Sequence, residues 1–547
     1  MSDIIIYKAR KIITMDPNMP EATHVAVRDG RILAVGGADC AGQWGGGRAD
    51  DRFAGAVLTP GFIEGHAHMM AGAMWRFPYV GYHDRIDAEG RLWPGLTNIE
   101  EVIEGLKKAE AEMAASGAAP EAPLFAWGFD PIFLDTERLN RCHLDAVSAT
   151  RPIVVQHSNF HLLTANSPAL ALAQYTRETN VVGVAKGPDG ELNGELQEMA
   201  AMFPLMRRVG VNFRDLAASE ESIRTYGAIA RQTGTTTATD LHAELPDADL
   251  PRLLAITGAA DFPLRVVPFL GAAMMPPAEV GPRALALREK ATDMLRLGGV
   301  KMMLDGSIQG YTARLRWPGH LHGEPNGIWV TAPEQAEELI IALHKAGVHM
   351  HIHTNGDEAS VVAIDAVEKA MAEHSWSDHR HTLQHGQMID RALFKRMKTL
   401  GLCANLFSNH IWYFGDMHVA KSIGEDRARR MDACRSALDE GVPLAVHSDA
   451  PVTPLAPLFT AWCAVNRITM SGRCLGPEQR ITVMEALEAI TLGAAYTLKL
   501  DHELGSIQTG KIADFAVLGE DPTAIDPMKL KDVPVLGVVS GGRVFMN

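Results

Sequence analysis

His66 and His68 stand two residues apart at the end of PGFIEGHAH, the stretch from Pro60 to His68. In an extended strand, residues i and i+2 point to the same face. Two imidazoles delivered to one point are what a divalent metal takes as ligands. The pattern is weak alone, because 22 His in 547 residues yield roughly one His-x-His by chance. This chain has such pairs at 66/68, 320/322, 349/351, 351/353 and 379/381. The other residues suited to metal or proton chemistry are Lys301 and Asp305 in VKMMLDGS, His353 in VHMHIHTNG, His385 in HTLQHG and Asp449 in PLAVHSDA.

These residues need elements to aim them. Strand-like apolar runs follow PGFIEGHAH at GTTTATDLH (234–242), LRVVPFL (264–270), VKMMLDGS (300–307), VHMHIHTNG (348–356), HTLQHG (381–386), LCANLFS (402–408) and PLAVHSDA (443–450). Between later runs the apolar spacing predicts helices over 333–347 and 427–441, each ending in Gly. Eight strands alternating with helices predict an α/β fold, a (β/α)8 TIM-type barrel, over residues 58–498. The gap between the first two strands is too long for one helix, so about 70–230 is expected to hold an inserted subdomain. In such a barrel, chemistry sits where strands end. His66 and His68 close strand one, Asp305 follows strand four (which Lys301 opens), and His353, His385 and Asp449 close strands five, six and eight. That residue set at strand ends suits a metal. His351 reads as a residue behind the ligands or in the core. His320 and His322 lie in a Pro/Gly loop and are expected at the surface. His379 is expected in a solvated loop, and His381 opens strand six at its wrong end.

Both termini read as short β-strands, with Asp29-Gly30 as a hairpin turn. We expect residues 1–57 and 499–547 to form one small β-sandwich domain. A net charge of −15 without a Lys/Arg run argues against nucleic acid or anionic membrane as partners. The N-terminus has no signal-peptide layout, and no apolar run is long enough to span a bilayer. Cys40, Cys142, Cys403, Cys434, Cys463 and Cys474 lack CxxC spacing and read as reduced thiols. The expectation is a cytoplasmic protein, a homo-oligomer (a dimer), acting on a small molecule.

The stretches PGFIEGHAH, FAWGFD, HLLTANSPAL, GTTTATD, VKMMLDGSIQGYTA, HIHTNGDEA, LQHGQ, VHSDAPVTPLAPL and LGSIQTGKIADFAVL occur in order over nearly the whole chain. In them the chain resembles the metal-dependent amidohydrolase superfamily. Within it the likeness is to the amidohydrolase-3 branch of YtcJ-like proteins and N-substituted formamide deformylases. The resemblance implies a barrel with a β-sandwich from both termini and a metal centre. By matching position it implies His66, His68, His353, His385 and Asp449 as metal ligands, and Lys301 as a carboxylated bridge between two metals. The chain departs from the branch at Glu64, where Asp is frequent, and at Asn355, which could present an amide to the site. It departs also at Tyr311, where many relatives carry Arg, and at His447, an extra imidazole near the metal.

The expected cofactor is a divalent metal, Zn by default, with Mn or Fe fitting the same ligands, as one or two ions. The expected reaction is hydrolysis of a C–N bond in a small amide by metal-activated water, with Asp449 as general base and then acid. No GxSxG motif suggests a serine nucleophile. The alternatives are a cyclic amidase or deaminase of the same superfamily, or a non-catalytic small-molecule-binding regulator. Trp127, His161, Tyr311 and Trp412 are candidate pocket residues, with the apolar core as the competing reading for the aromatics.

Overall fold

The computed structural model describes residues 3–134 and 138–547. The eight expected barrel strands all form. They are β1 (Phe62–Glu64), β2 (Thr235–Ala243), β3 (Arg265–Gly271), β4 (Gly299–Met303), β5 (Met350–Thr354), β6 (Thr382–His385), β7 (Cys403–Leu406) and β8 (Leu444–Val446). They form one parallel sheet in chain order. Strands β5 to β8 are buried along their whole length. Parallel strands covered by helices on one face and filled on the other require apolar or fully paired residues throughout.

The sheet closes at one end only. Ala67, just past β1, bridges Ala450, just past β8. The His68 N–H donates to the Ala450 carbonyl at 2.8 Å, and the Asp449 N–H donates to the His66 carbonyl at 3.0 Å. The seam of the barrel is therefore made by the segments that carry the candidate ligands.

Strands from both termini share one seven-stranded sheet, ordered Arg543–Met546, Val535–Ser540, Phe515–Leu518, Arg48–Pro60, Ile5–Ile13, Glu21–Arg28 and Arg31–Gly36. Its apolar face includes Tyr7, Ile12, Val25, Phe53, Phe515 and Val539. The strand Arg48–Pro60 runs past the boundary expected at 57 and leads directly into β1. The expected hairpin turn has Asp29 at φ 53° and Gly30 at φ 74°, the left-handed pair that matches strand twist. Between β1 and β2 lies a second, five-stranded sheet, from Leu124–Phe129 to Leu192–Gln197, together with helices such as Ile99–Ala115.

The helix expected over 427–441 is two short ones, Glu425–Ala428 and Cys434–Asp439. The break falls at Asp432, left-handed at φ 47°, whose N–H donates to the Gln387 carbonyl. His320 is buried rather than at the surface, its ring 5.3 Å from that of Tyr311. His379 is also fully buried, not solvated, because its Nε2 donates to the Leu400 carbonyl at 2.7 Å.

Candidate metal centre

The interior of the barrel is polar beneath the mouth. Register pairs Lys301 with His351, His353 with Gln384, and Gln384 with Asn405. Partners in a parallel sheet face the same side, so these side chains share the barrel interior. His385 follows Gln384, and plain alternation would turn it outward. Its φ of 67° breaks the alternation and brings its ring to 4.5 Å from His66 and 4.4 Å from His353. Asp449 has the same device, with φ 53°. Left-handed φ in a non-glycine residue is costly and persists only where its surroundings demand it.

His66 and His68 lie just beyond β1, not within it. The Ala67 N–H donates to Thr239 Oγ1 and the Met69 N–H to Asp240 Oδ1, so β2 holds the segment extended. Buried Glu64 accepts from the His66 N–H at 3.0 Å and from Ser448 Oγ at 2.6 Å, tying β1 to β8. Burial pushes the Glu64 carboxyl up to about 8.

His66 Nε2 lies 3.4 Å and His68 Nε2 3.1 Å from Asp449 Oδ1. The three ligand atoms fall within 4.8 Å of one another. Lys301 Nζ is 3.3 Å from His66 Nε2. His385 Nδ1 is 3.9 Å from Asp449 Oδ2. Thus His66, His68, Lys301, His385 and Asp449 come together, and His353 joins through His385.

The protonation of these rings follows from their outer partners. His351 Nε2 faces the Thr497 carbonyl at 3.0 Å and must donate, so its Nδ1 accepts from Gln384 Nε2 at 2.7 Å. Gln384 Oε1 then accepts from His66 Nδ1–H at 2.7 Å and from Asn405 Nδ2 at 2.9 Å. Asn405 Oδ1 accepts from His447 Nδ1–H at 3.1 Å, and His447 Nε2 accepts from His385 Nδ1–H at 3.2 Å. The chain of bonds leaves Nε2 of His66 and of His385 without a proton; the His385 lone pair is bare, and that of His66 meets the Lys301 amine at 3.3 Å. His68 Nδ1–H donates to the Leu241 carbonyl at 2.7 Å, which bares its Nε2 as well. His353 Nε2–H donates to the Gly306 carbonyl at 3.2 Å, which bares its Nδ1.

Burial, helped by neighbouring charge, holds His66, His353 and His385 well below the ordinary histidine range, so they are neutral at pH 7. Bare lone pairs facing a carboxylate oxygen at 3.1–3.4 Å have no proton to share. A divalent cation is what this donor set fits, with neutral imidazoles oriented by outer partners. Burial also lowers Lys301 to about 7, well below an ordinary lysine.

A cavity of about 560 Å³ opens over these residues. Its walls include Met69, Met70, Met199, Phe203, Met206 and Met274, with His161 among the polar lining. His161 comes from the inserted region and pairs with Glu198 at 3.0 Å. Burial works against its charged form, but Glu198, joined by Asp449 and Asp305, raises it on balance.

The three aromatic candidates lie elsewhere. Trp127 is 1% exposed and packs edge-on against Trp75 and Tyr79. Tyr311 faces His320, and Trp412 packs against His83, Tyr413 and Phe459. Large apolar rings gained more from filling gaps between elements than from standing in an open pocket. Sequence reasoning passed over Gln384, Asn405 and Glu198. Gln384 and Asn405 lay in plain view as polar residues inside strands otherwise destined for burial.

A sequence profile described as the Amidohydrolase family matches residues 54–546. The protein LONG AFTER FAR-RED 3 of Arabidopsis thaliana is 28% identical, over 93% of this chain and 85% of its own length. The N-substituted formamide deformylase of Arthrobacter pascens is 26% identical, over 98% of this chain and 97% of its own. The crystal structure of an uncharacterized metal-dependent hydrolase from Pyrococcus horikoshii superposes with a TM-score of 0.72 at 18% identity, covering 96% of this chain and 99% of that one.

Proposed function

The chain belongs to the amidohydrolase family, and from that premise we propose that it hydrolyses a C–N bond, most simply an amide, in a small molecule. The observation that carries the reading is the convergence of His66 Nε2, His68 Nε2 and Asp449 Oδ1, with the imidazole lone pairs bared by the hydrogen-bond chain behind them. In this proposal His66, His68, Lys301, His353, His385 and Asp449 hold one or two divalent ions, Zn by default. Metal bound there supplies a Lewis acid that acidifies water and polarises a carbonyl.

Asp449 stands at the seam of the barrel, 9% exposed, open to the large cavity. It takes a proton from the attacking water and later returns it to the leaving nitrogen. Gln384 and His447 keep the His66 and His385 rings in the orientation and tautomer that the site requires. The methionine-rich walls exclude water from the rest of the substrate and receive an apolar group. The likeness to an N-substituted formamide deformylase supports amide hydrolysis as the reaction class.

Lys301 is the remaining element. An ammonium would repel a cation beside His66, whereas a buried amine held near 7 can take up CO2. The nitrogen bonds the carbon of CO2, one proton leaves, and the resulting carbamate shares a single negative charge between its two oxygens. Lys301→Ala tests this. The expected result is loss of bound metal and of turnover, with partial rescue by short carboxylic acids. One metal per chain in the wild type, retained in Lys301→Ala with no response to added acid, would remove the bridge and leave the hydrolase reading on His66, His68 and Asp449.

A further inference from the structure

The candidate ligands wall two cavities. Asn159, His161, His353, His385, Asp449 and Val452 line both the large pocket and a smaller one of about 10 Å³. The smaller one has room for a single water-sized group. Its chemistry is the opposite of the methionine-lined pocket. Besides the shared residues it is walled by Ser307, Gln309, Asn355, Phe407 and His410.

Among the described residues, four buried polar atoms of its lining have no hydrogen-bond partner: Asn159 Nδ2, Gln309 Oε1, Asn355 Oδ1 and His410 Nδ1, the last of which faces Asp432 Oδ1 at 3.5 Å. Their residues are 4%, 3%, 4% and 2% exposed. Two of the amide orientations are set by the backbone. Asn159 Oδ1 accepts from the His161 N–H at 2.9 Å, so Nδ2 is the group left over. Asn355 Nδ2 donates to the Gly306 carbonyl at 2.8 Å, so Oδ1 is left over. With His410 Nδ1 turned to Asp432 and Gln309 as it stands, the lining is left with one unpaired donor and two unpaired acceptors, and buried groups of this kind are stable only when paired.

We propose that this cavity is a subsite for the terminal NH2 of a carbamoyl group, and that the substrate is an N-substituted urea with its apolar substituent in the methionine-lined pocket. The proposal rests on the hydrolase reading above. A carbamoyl group has one carbonyl acceptor and two N–H donors on one nitrogen, the complement of Asn159 Nδ2, Asn355 Oδ1 and Gln309 Oε1. The terminal nitrogen is one heavy atom, which suits the volume. A water molecule can make the same bonds, and the NH2 replaces it in kind. An acetyl methyl of the same size displaces that water and pairs with neither acceptor, which loses affinity. The reaction balances as R–NH–CO–NH2 plus water. The water oxygen bonds the carbonyl carbon and the bond to the substituted nitrogen breaks. One water proton ends on the leaving amine, and carbamic acid remains, which falls apart to ammonia and CO2.

N-hexylurea and N-hexylacetamide differ only by NH2 against CH3 and separate the possibilities. With the metal-loaded enzyme, kcat/KM is expected to favour the urea by about 10- to 100-fold, the weight of buried acceptors left unpaired. Asn355→Leu and Gln309→Met are each expected to cut that ratio by about tenfold. Should Asn355→Leu fail to fold, for want of its bond to Gly306, Gln309→Met carries the comparison. A ratio of one or less, or a ratio that Gln309→Met leaves unmoved, overturns the subsite. If neither compound is turned over, the hydrolase reading loses these two substrates and calorimetry decides the subsite. Tighter binding of N-hexylurea than of N-hexylacetamide, lost in Gln309→Met, upholds it. Equal binding of the two overturns it and leaves the cavity to structural water only.

Discussion

Strands β5 and β6 carry histidine clusters at both ends. At their C-terminal ends stand His353 and His385, beside His66, His68 and His447. At their N-terminal ends stand His349 and His381, beside His344 and His379, with ring centroids as close as 4.4 Å for His379 and His381. Density of imidazole is similar, yet the chemistry is not. At the lower end, His344 Nε2 donates to the His374 carbonyl at 2.8 Å, and its Nδ1 accepts from His381 Nε2–H at 3.0 Å. His381 Nδ1 accepts from the Met350 N–H, and His379 Nδ1 from the His381 N–H. His344, His379 and His381 therefore have both ring nitrogens engaged by the protein, and nearby Asp378 is taken by Arg380 at 2.6 Å. At the upper end, each candidate ligand ring keeps one nitrogen without a proton, and Asp449 faces those of His66 and His68. A metal site needs spare lone pairs and a negative charge, and clustering by itself supplies neither.

The comparison breaks most directly by removing ligands. His66→Ala with His68→Ala is expected to abolish bound metal and turnover, while His379→Ala with His381→Ala leaves the metal content per chain unchanged. Elemental analysis of both purified double variants checks this, and metal lost from neither or from both would erase the distinction between the ends.

Asp449→Asn keeps shape and an oxygen but cannot accept a proton. Turnover is expected to fall by about 10²–10⁴, the usual weight of a general acid–base, with a smaller loss of metal. A kcat near wild type would hand the proton to another group, such as His447.

Gln384→Leu leaves every ligand in place but removes the partner that sets the His66 tautomer. Metal affinity is expected to weaken by about 10- to 100-fold, as for other outer partners of metal-bound histidines. Competition with a chelator measures it, and an unchanged affinity would mean that the hydrogen-bond chain does not act on the site.

The smallest effect concerns pH and the lower end. Burial holds His379 down to about 4 against 6.5 when unfolded. Between those values the unfolded chain binds the extra proton, so the stability associated with neutral His379 is complete above pH 6.5 and is lost as pH falls towards 4. His379→Gln is expected to flatten this acid side of the stability profile without changing metal content. Urea unfolding across that range reads the slope, and an unaltered slope would place the acid sensitivity elsewhere.

The sequence alone determined the order and number of the barrel strands, since apolar runs of strand length alternating with helical spacing leave few folds that bury them. It determined also that β-strands stand at both ends, and it singled out His66, His68, His353, His385 and Asp449, because strand ends are where a barrel exposes side chains; Lys301, which opens its strand, entered through the family resemblance. It did not determine the direction of each ring. His385 and Asp449 reach the centre only through left-handed backbone that period-two alternation does not contain. It also could not tell His379, sealed under Leu400, from a solvated loop residue, nor place Trp127, Tyr311 and Trp412 in packed clusters away from the pocket. Long-range partners decide these points: Thr497 sets His351, which through Gln384 sets His66, across 431 positions of chain. Tautomer, burial and the spare lone pair are properties of contacts between distant segments, and only the closed barrel creates those contacts.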